Sequence, residues 1–549
     1  MRLDGIINLI RLWGDFLIVT NLKKSIDSKC LLNDVSFSLN DGNKIGLIGK
    51  NGTGKSTLLK ILSGLMKADS GKINLNGKKV KLLRQEIERD KYNLTVIDYI
   101  KNDNSLLELE NRLHSLVENL TDENMEEYGD VLDTYLKLDG YDFETNLEVI
   151  MNGLNMNTHL NNKVGDLSGG QKIKVLLASL LLSNSDILLL DEPTNNLDME
   201  AIEWLETYLK KLDREMIIVS HDETFLNSVT NKIFELSNGK ITEYNLSYSD
   251  YLLYKEHEYN RELEKYEQAK EQQRKIQASI QEAKEWTSKG LSKKKSDNDK
   301  LSANFSKERT KKTAAKASRL SRELEKIEID KSFRKKEKID FSVDFSDSKG
   351  NRDIYTSELV CGYENFSTPP VSIDIPFGTR INIQGKNGTG KTTFIKTILG
   401  EIPAISGHIS IGNEVKAGYI SQDSLDTEET ECSVYEYLSK GTDTDKSMLF
   451  NILNKFHINY DDKDKPFSSL SPGQRTRVNL AKLAINETNT LILDEATNHL
   501  DIEALHVLEE VIESFNGTII SISHNRSFNV ILNADVNLNI ETGTITYHK

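Results

Sequence analysis

The stretch KIGLIGKNGTGKSTLLKIL, residues 44–62, decides how this chain is read. KIGLI is an apolar run that reads as a buried strand. Gly49-Lys-Asn-Gly-Thr-Gly54-Lys55-Ser56 reads as a loop, and a helical run follows. Strand, glycine-rich loop and helix in that order make a cradle for phosphate. Gly49, Gly52 and Gly54, with Asn51 among them, let backbone N–H groups close on a nucleotide β-phosphate. Lys55 neutralises the phosphates, and Ser56, followed by Thr57, offers a hydroxyl to Mg²⁺. Short glycine-rich turns arise by chance; the full pattern between a strand and a helix rarely does.

The residues downstream extend the same chemistry. Gln85 ends a strand-like VKLLRQ, and LSGGQ at 167–171 supplies Ser168, Gly169, Gly170 and Gln171. ILLLDEPTNNLD spans 187–198, and His221 follows the buried strand MIIVS. Asp191 would hold Mg²⁺ through water, and Glu192 would polarise the attacking water. His221 would contact the γ-phosphate or orient that water.

The set then occurs a second time. Gly385, Asn387, Gly388, Gly390, Lys391, Thr392 and Thr393 form another strand–loop–helix. Gln422, LSPGQ at 470–474 (Ser471, Gly473, Gln474), LILDEATNHLD at 491–501 (Asp494, Glu495) and His524 follow. Lysine to glutamine is 30 residues in one copy (55 to 85) and 31 in the other (391 to 422), and aspartate to histidine is 30 in both (191 to 221, 494 to 524). An internal repeat of a complete motif set means two homologous domains. One interval differs: Gln85 to Leu167 is 82 residues and Gln422 to Leu470 is 48, so the first copy carries 34 more. They fit residues 105–138, within an insertion at about 100–145, which read as two short amphipathic helices with a polar turn. Such an insertion is either a cheaply tolerated surface decoration or a contact arm.

Between the copies lies a charged segment. Residues 250–286, rich in Glu, Lys, Gln and Leu without Gly or Pro, predict a long exposed helix; 307–330 predict a second, with a polar break at 288–306. Residues 251–340 hold 25 Lys+Arg against 17 Asp+Glu, a net of +8. The whole chain is −15, so the remainder sums to −23. A basic helical prong on an acidic protein points to a polyanion, most often nucleic acid; the competing reading is a solvated coiled-coil spacer. The side chains at its far end are Leu291, Lys293, Lys294, Lys295, Lys300, Leu301 and Phe305, where lysines would hold nucleic-acid phosphates while apolar groups stack among bases. Trp286 just below would pin the two helices.

With 549 residues, 37% apolar and 28% charged, the chain has room for two or three cored domains. Boundaries fall at 1–245, 246–340 and 341–549, with the tip at about 288–305. Cys30, Cys361 and Cys432 follow no metal-ligand spacing and read as buried thiols of a reducing cytosol. The apolar N-terminal segment is interrupted by Arg11 and Asp15 and lacks the signature of a signal peptide. No run of 18 apolar residues is present, so a cytoplasmic protein with no membrane span of its own is expected.

Together these motifs resemble the nucleotide-binding domains of the ATP-binding-cassette superfamily. The resemblance implies an α/β fold with two P-loop NTPase cassettes joined by a long helical-hairpin linker, ATP hydrolysis, and ATP with Mg²⁺ as ligands. It also implies Mg²⁺ held near Ser56, Gln85 and Asp191, and near Thr392, Gln422 and Asp494. An LSGGQ segment cannot reach the phosphates of its own cassette, so the halves of a monomer would pair head to tail. One site would then combine Lys55, Glu192 and His221 with Ser471 and Gly473; the other would combine Lys391, Glu495 and His524 with Ser168, Gly169 and Gly170. Two cassettes, a basic linker and no membrane segment further resemble class F, cytoplasmic translation factors that bind the ribosome. That implies contact of the linker with large-subunit rRNA and tRNA from the exit site, and of the 100–145 arm with the ribosome. A long tip and a composition rich in Lys, Asn and Ile resemble the bacterial subgroup that protects ribosomes from antibiotics at the peptidyl-transferase centre. Housekeeping class F factors share the architecture, and a transporter ATPase subunit is the more distant alternative.

Three departures stand out. Pro472 replaces Gly169 in the second signature, removing one N–H from a phosphate-facing loop. Ala496 replaces Pro193. The aromatic expected to stack on adenine is met by Tyr363 in the second half, whereas Ile26 takes its place in the first.

Overall fold

The computed structural model describes residues 17–292 and 350–548, apart from 27–28, 41, 123, 364–365, 422–430, 441–445, 459, 471, 498–499 and 501, together with helical residues between 311 and 324. The chain divides into two compact units, Met1–Tyr248 with Lys338–Lys549, and Ser249–Glu337.

In the first unit the repeat is visible strand by strand. One six-stranded sheet runs in the order Val80–Leu82, Ile187–Asp191, Glu215–Val219, Lys44–Ile48, Lys232–Ser237, Lys240–Tyr244; the other runs Ala417–Ser421, Thr490–Asp494, Thr518–Ile522, Arg380–Gln384, Val536–Asn539, Thr544–Tyr547. All pairings are parallel except the last in each sheet. Strands such as ILLLD, TLILD and EMIIV read as unbroken apolar runs because both faces of a parallel sheet are covered. Each cassette adds a three-stranded antiparallel sheet, with Leu17–Ile26 central in the first and Ile354–Val360 central in the second. The predicted insertion is two helices, Leu106–Glu118 and Met125–Lys137. They are tied by the Arg112–Glu127 ion pair and by Tyr135 Oη donating to Glu110 Oε1 at 3.1 Å.

In the second unit, one helix runs from Tyr248 to Ser292. This corrects the expected end at 286: the polar break at 288–306 begins later than predicted, and Leu291 lies on the helix. Gly290 costs a helix interior about 1 kcal/mol, which one more hydrogen bond per added residue can offset once a long helix is nucleated. Leu263, Tyr266, Ala269, Gln273, Ile276 and Ile280 are half-buried or buried at spacings of three, three, four, three and four, one covered stripe between mostly exposed neighbours. The tip residues Lys293, Lys294, Lys295, Lys300, Leu301 and Phe305 lie outside the described residues.

Candidate active site

Each phosphate loop leads into an eight-residue helix, Lys55–Leu62 or Lys391–Ile398, whose N-cap is a glycine in the left-handed region, Gly54 at φ 105° and Gly390 at φ 96°. Neither helix start has a side-chain cap, whereas Ser168, Asp198 and Asp222 each cap their own helix. An uncapped start leaves N–H groups aimed at an anion. Gly49 is also required by space, since a Cβ there would sit 2.5 Å from Leu236 O. Lys55 Nζ donates to Gly49 O at 2.6 Å, and Lys391 Nζ to Gly385 O at 2.9 Å, so each lysine is folded over its own loop. Thr393 is buried while Thr392 is exposed, which leaves Thr392 as the hydroxyl facing the loop.

The carboxylates arrive from the next strands. Ser56 hydrogen-bonds Asp191, and Thr392 Oγ1 donates to Asp494 Oδ1 at 3.2 Å. Burial pushes both aspartates above the usual carboxylate range, against these hydroxyls and the loop lysines. Tyr419 Oη also donates to Asp494 Oδ2 at 3.1 Å. The sequence reading missed this tyrosine; by strand register its counterpart is Leu82, so the repeat carries no signal for it.

Glu192 and Glu495 share an unusual backbone, both at φ 51°, in the left-handed region that non-glycine residues avoid. Their amides donate to Val219 O at 2.8 Å and Ile522 O at 2.9 Å, and this neighbouring strand holds the turn. Burial first, then the charge of Asp191, raises Glu192 to about 8. His221 Nε2 lies 3.2 Å from Glu192 Oε1, and His221 N donates to Oε2 at 3.3 Å. His524 is lowered to about 4 by burial, with Lys391 adding to the effect, so it is neutral at physiological pH.

Other predicted residues fall less directly. Gln85 is exposed three residues beyond its strand, which ends at Leu82. Gln171 is used inside its own cassette: its Oε1 accepts from Ser168 N at 2.9 Å in a capping box, and its Nε2 is 3.2 Å from His159 Nε2. Gln474 Nε2 likewise donates to Asp462 at 3.3 Å. Pro472 occupies the first position of the helix Pro472–Ile485, where a missing N–H costs the helix nothing but still removes one donor from its start. Tyr363 is 59% exposed, on a two-stranded ribbon with Phe366–Ser367. Phe366 on that ribbon lies 2.9 Å from where a Cβ on Gly390 would be, which puts the ribbon beside the phosphate loop. Ile26 ends its strand, partly exposed. Gln422 and Ser471 lie outside the described residues, and Gly473 falls in the first turn of its helix.

The two cassettes meet at the second loop. Asn387 Nδ2 donates to Asn196 O at 3.0 Å, and Lys386 Nζ lies 3.4 Å from Glu200 Oε2. Asp198 is close enough to raise the proton affinity of both Lys391 and His524. The NNLD segment of the first cassette therefore faces the phosphate loop of the second. Nothing in the spacing of the NNLD motif points to these partner residues.

The profile of the ABC transporter family matches residues 32–195 and 369–498, more than half the chain and both loops just described. The chain belongs to that family. It is an ATP hydrolase with two such cassettes. The ABC transporter ATP-binding protein YfmM of Bacillus subtilis is 32% identical over 526 residues, covering 93% of this chain and 96% of its own. The energy-dependent translational throttle protein EttA of Mycobacterium tuberculosis is 32% identical over 526 residues, 92% and 88% of the two chains. A solved complex of the archaeal ribosomal stalk protein aP1 and the ribosome recycling factor aABCE1 contains a chain with TM-score 0.56 and 18% identity, covering 94% of this one and 87% of its own; that likeness shows the fold. Among the described residues no helix is long and apolar enough to cross a membrane.

Proposed function

We propose that this chain is a class F translation factor, a ribosome-associated ATPase whose linker reaches rRNA and tRNA. The observation that carries this reading is the reach of the likeness. Relatives of about one-third identity align over 526 residues, which takes in the basic linker as well as both cassettes, and one of them is named for throttling translation. The halves of a transporter subunit are rarely joined by a basic helical prong.

Oxygen-only clusters at Ser56 with Asp191, and at Thr392 with Asp494, suit Mg²⁺, which prefers such donors and takes its remaining ligands from phosphate and water. Bound there with ATP, Mg²⁺ would neutralise charge on the β- and γ-phosphates. Lys55 and Lys391 turn from their loop carbonyls to the phosphates. Glu192 and Glu495 polarise the attacking water, and His221 and His524 orient it. Tyr363 stacks on the adenine at the second site. Ser168, Gly169 and Gly170 close on the nucleotide held by Lys391, as Ser471 and Gly473 do for that held by Lys55. ATP thus favours the paired state of the cassettes, hydrolysis removes the γ-phosphate contacts, and pairing shifts the linker.

The 288–305 tip and the Lys-, Asn- and Ile-rich composition favour a second reading, protection of ribosomes from antibiotics at the peptidyl-transferase centre. Co-sedimentation with ribosomes rather than membranes tests the first reading. Drug susceptibility of a sensitive bacterium, with and without the expressed chain, tests the second; unchanged susceptibility leaves a general translation factor.

A further inference from the structure

The duplication allows each contact between the cassettes to be compared with its repeat-related partner. Glu206 lies 15 residues after Asp191, and Glu509 lies 15 after Asp494; Glu223 and Arg526 each stand two residues after their histidine. One of these crossings is an ion pair. Arg526 Nη1 of the second cassette is 3.0 Å from Glu206 Oε1 of the first, with side chains only 20% and 10% exposed. The other crossing sets two carboxylates together. Burial first, and the charges of Glu509 and Asp222 as well, push Glu223 up, against His506 and the Tyr248 hydroxyl. Tyr248 Oη donates to Glu223 at 3.1 Å, and His506 Nδ1 lies 3.0 Å from Glu509 Oε2. One half of a pseudo-twofold interface is locked by a direct ion pair, while in the other two carboxylates face each other with His506 beside them.

The locked half is joined to the chemistry at both ends. Glu206 sits on the helix Met199–Lys211, which begins at Asp198, the residue facing Lys391 and His524. Arg526 follows His524 by two residues and opens the helix Arg526–Leu532. The helix from the first cassette is therefore held against the second at two points eight residues apart, about 12 Å along its axis. Two points fix an orientation that Asp198 alone could not.

We propose that Arg526 and Glu206 are a positioning pair for hydrolysis at the second site alone, holding Asp198 and His524 in register across the interface. The proposal rests on the assignment of Glu192 and Glu495 as the catalytic carboxylates. Full-length protein with Glu192→Gln reports turnover at the second site, and with Glu495→Gln at the first. Arg526→Ala should lower kcat about tenfold in the first background, the size typical of coupling between contacting charged residues. KM for ATP should stay within about twofold, and in the second background kcat should stay within about twofold. Glu206→Arg and Arg526→Glu should each be impaired alone, and together recover to within about threefold, a rescue that a general loss of stability would not produce. If Arg526→Ala does not fold, Glu206→Gln carries the same comparison without changing volume. Equal losses in both backgrounds, or no recovery in the folded double reversal, overturn the proposal. Turnover persisting in Glu192→Gln/Glu495→Gln would instead overturn the catalytic assignment; the charge-reversal rescue in the otherwise unaltered chain then tests the pair by itself.

Discussion

Glu192→Gln should stabilise the nucleotide-free protein, and by an amount that grows with pH. The folded chain raises this carboxyl from 4.5 to about 8, through burial and the neighbouring charge of Asp191. Below pH 4.5 the side chain is protonated whether the protein is folded or not, so glutamate and glutamine should be nearly equivalent. Between 4.5 and 8 the unfolded chain ionises and the folded chain does not, so wild-type stability falls as pH rises. Above 8 both states are ionised and the deficit stops growing. A difference of about 3.5 units is worth at most about 5 kcal/mol, and glutamine, which does not titrate, escapes it. Unfolding of a cassette-sized domain translates that into an increase in Tm on the order of 10 °C at pH 8.5. Thermal unfolding of both proteins from pH 5 to 8.5 without nucleotide makes the comparison. A Tm difference that is flat across this range would refute the reasoning, whatever its size.

Three further outcomes are expected. Glu192→Gln with Glu495→Gln should keep ATP binding but reduce turnover by about 100-fold or more, since an amide is a poor general base; a phosphate-release assay beside nucleotide binding checks this. Replacing Lys293, Lys294 and Lys295 by Gln should flatten the salt dependence of ribosome affinity, because each neutralised phosphate releases counterions, and an unchanged slope returns these lysines to a solvated role. Exchanging 293–303 for a short Gly-Ser turn should leave ATPase activity and ribosome binding intact while abolishing drug protection; full protection by the shortened chain would remove the tip from the mechanism.

What the sequence made legible was chemistry with a fixed local spacing. The phosphate loops, Asp191 and Asp494, and the repeat all follow from short-range pattern, and the parallel strands from unbroken apolar runs such as ILLLD. Length alone located the two insertion helices. The end of the linker helix was misjudged because Gly290 and nearby polar residues are weak helix formers, and local propensity counts for little beside propagation in a helix already forty residues long. Tyr419 was invisible because strand register, not spacing, brings it to Asp494. Glu206 and Arg526 are 320 residues apart, and a charged residue on an amphipathic helix gives no sign of whether it will meet solvent or another domain. The left-handed φ of Glu192 and Glu495 has no sequence signature either, since no glycine marks it.

The helix Tyr248–Ser292 has a mechanical consequence. At 1.5 Å per residue its 45 residues span about 67 Å, and a rod of that length is a lever. Tilting it by about 5° at its base sweeps its far end through about 6 Å, more than one 3.4 Å base step of a nucleic-acid strand. A displacement at the base of the rod no larger than a repacked side chain would therefore be geared up, at its far end, into a stride the size of a nucleotide.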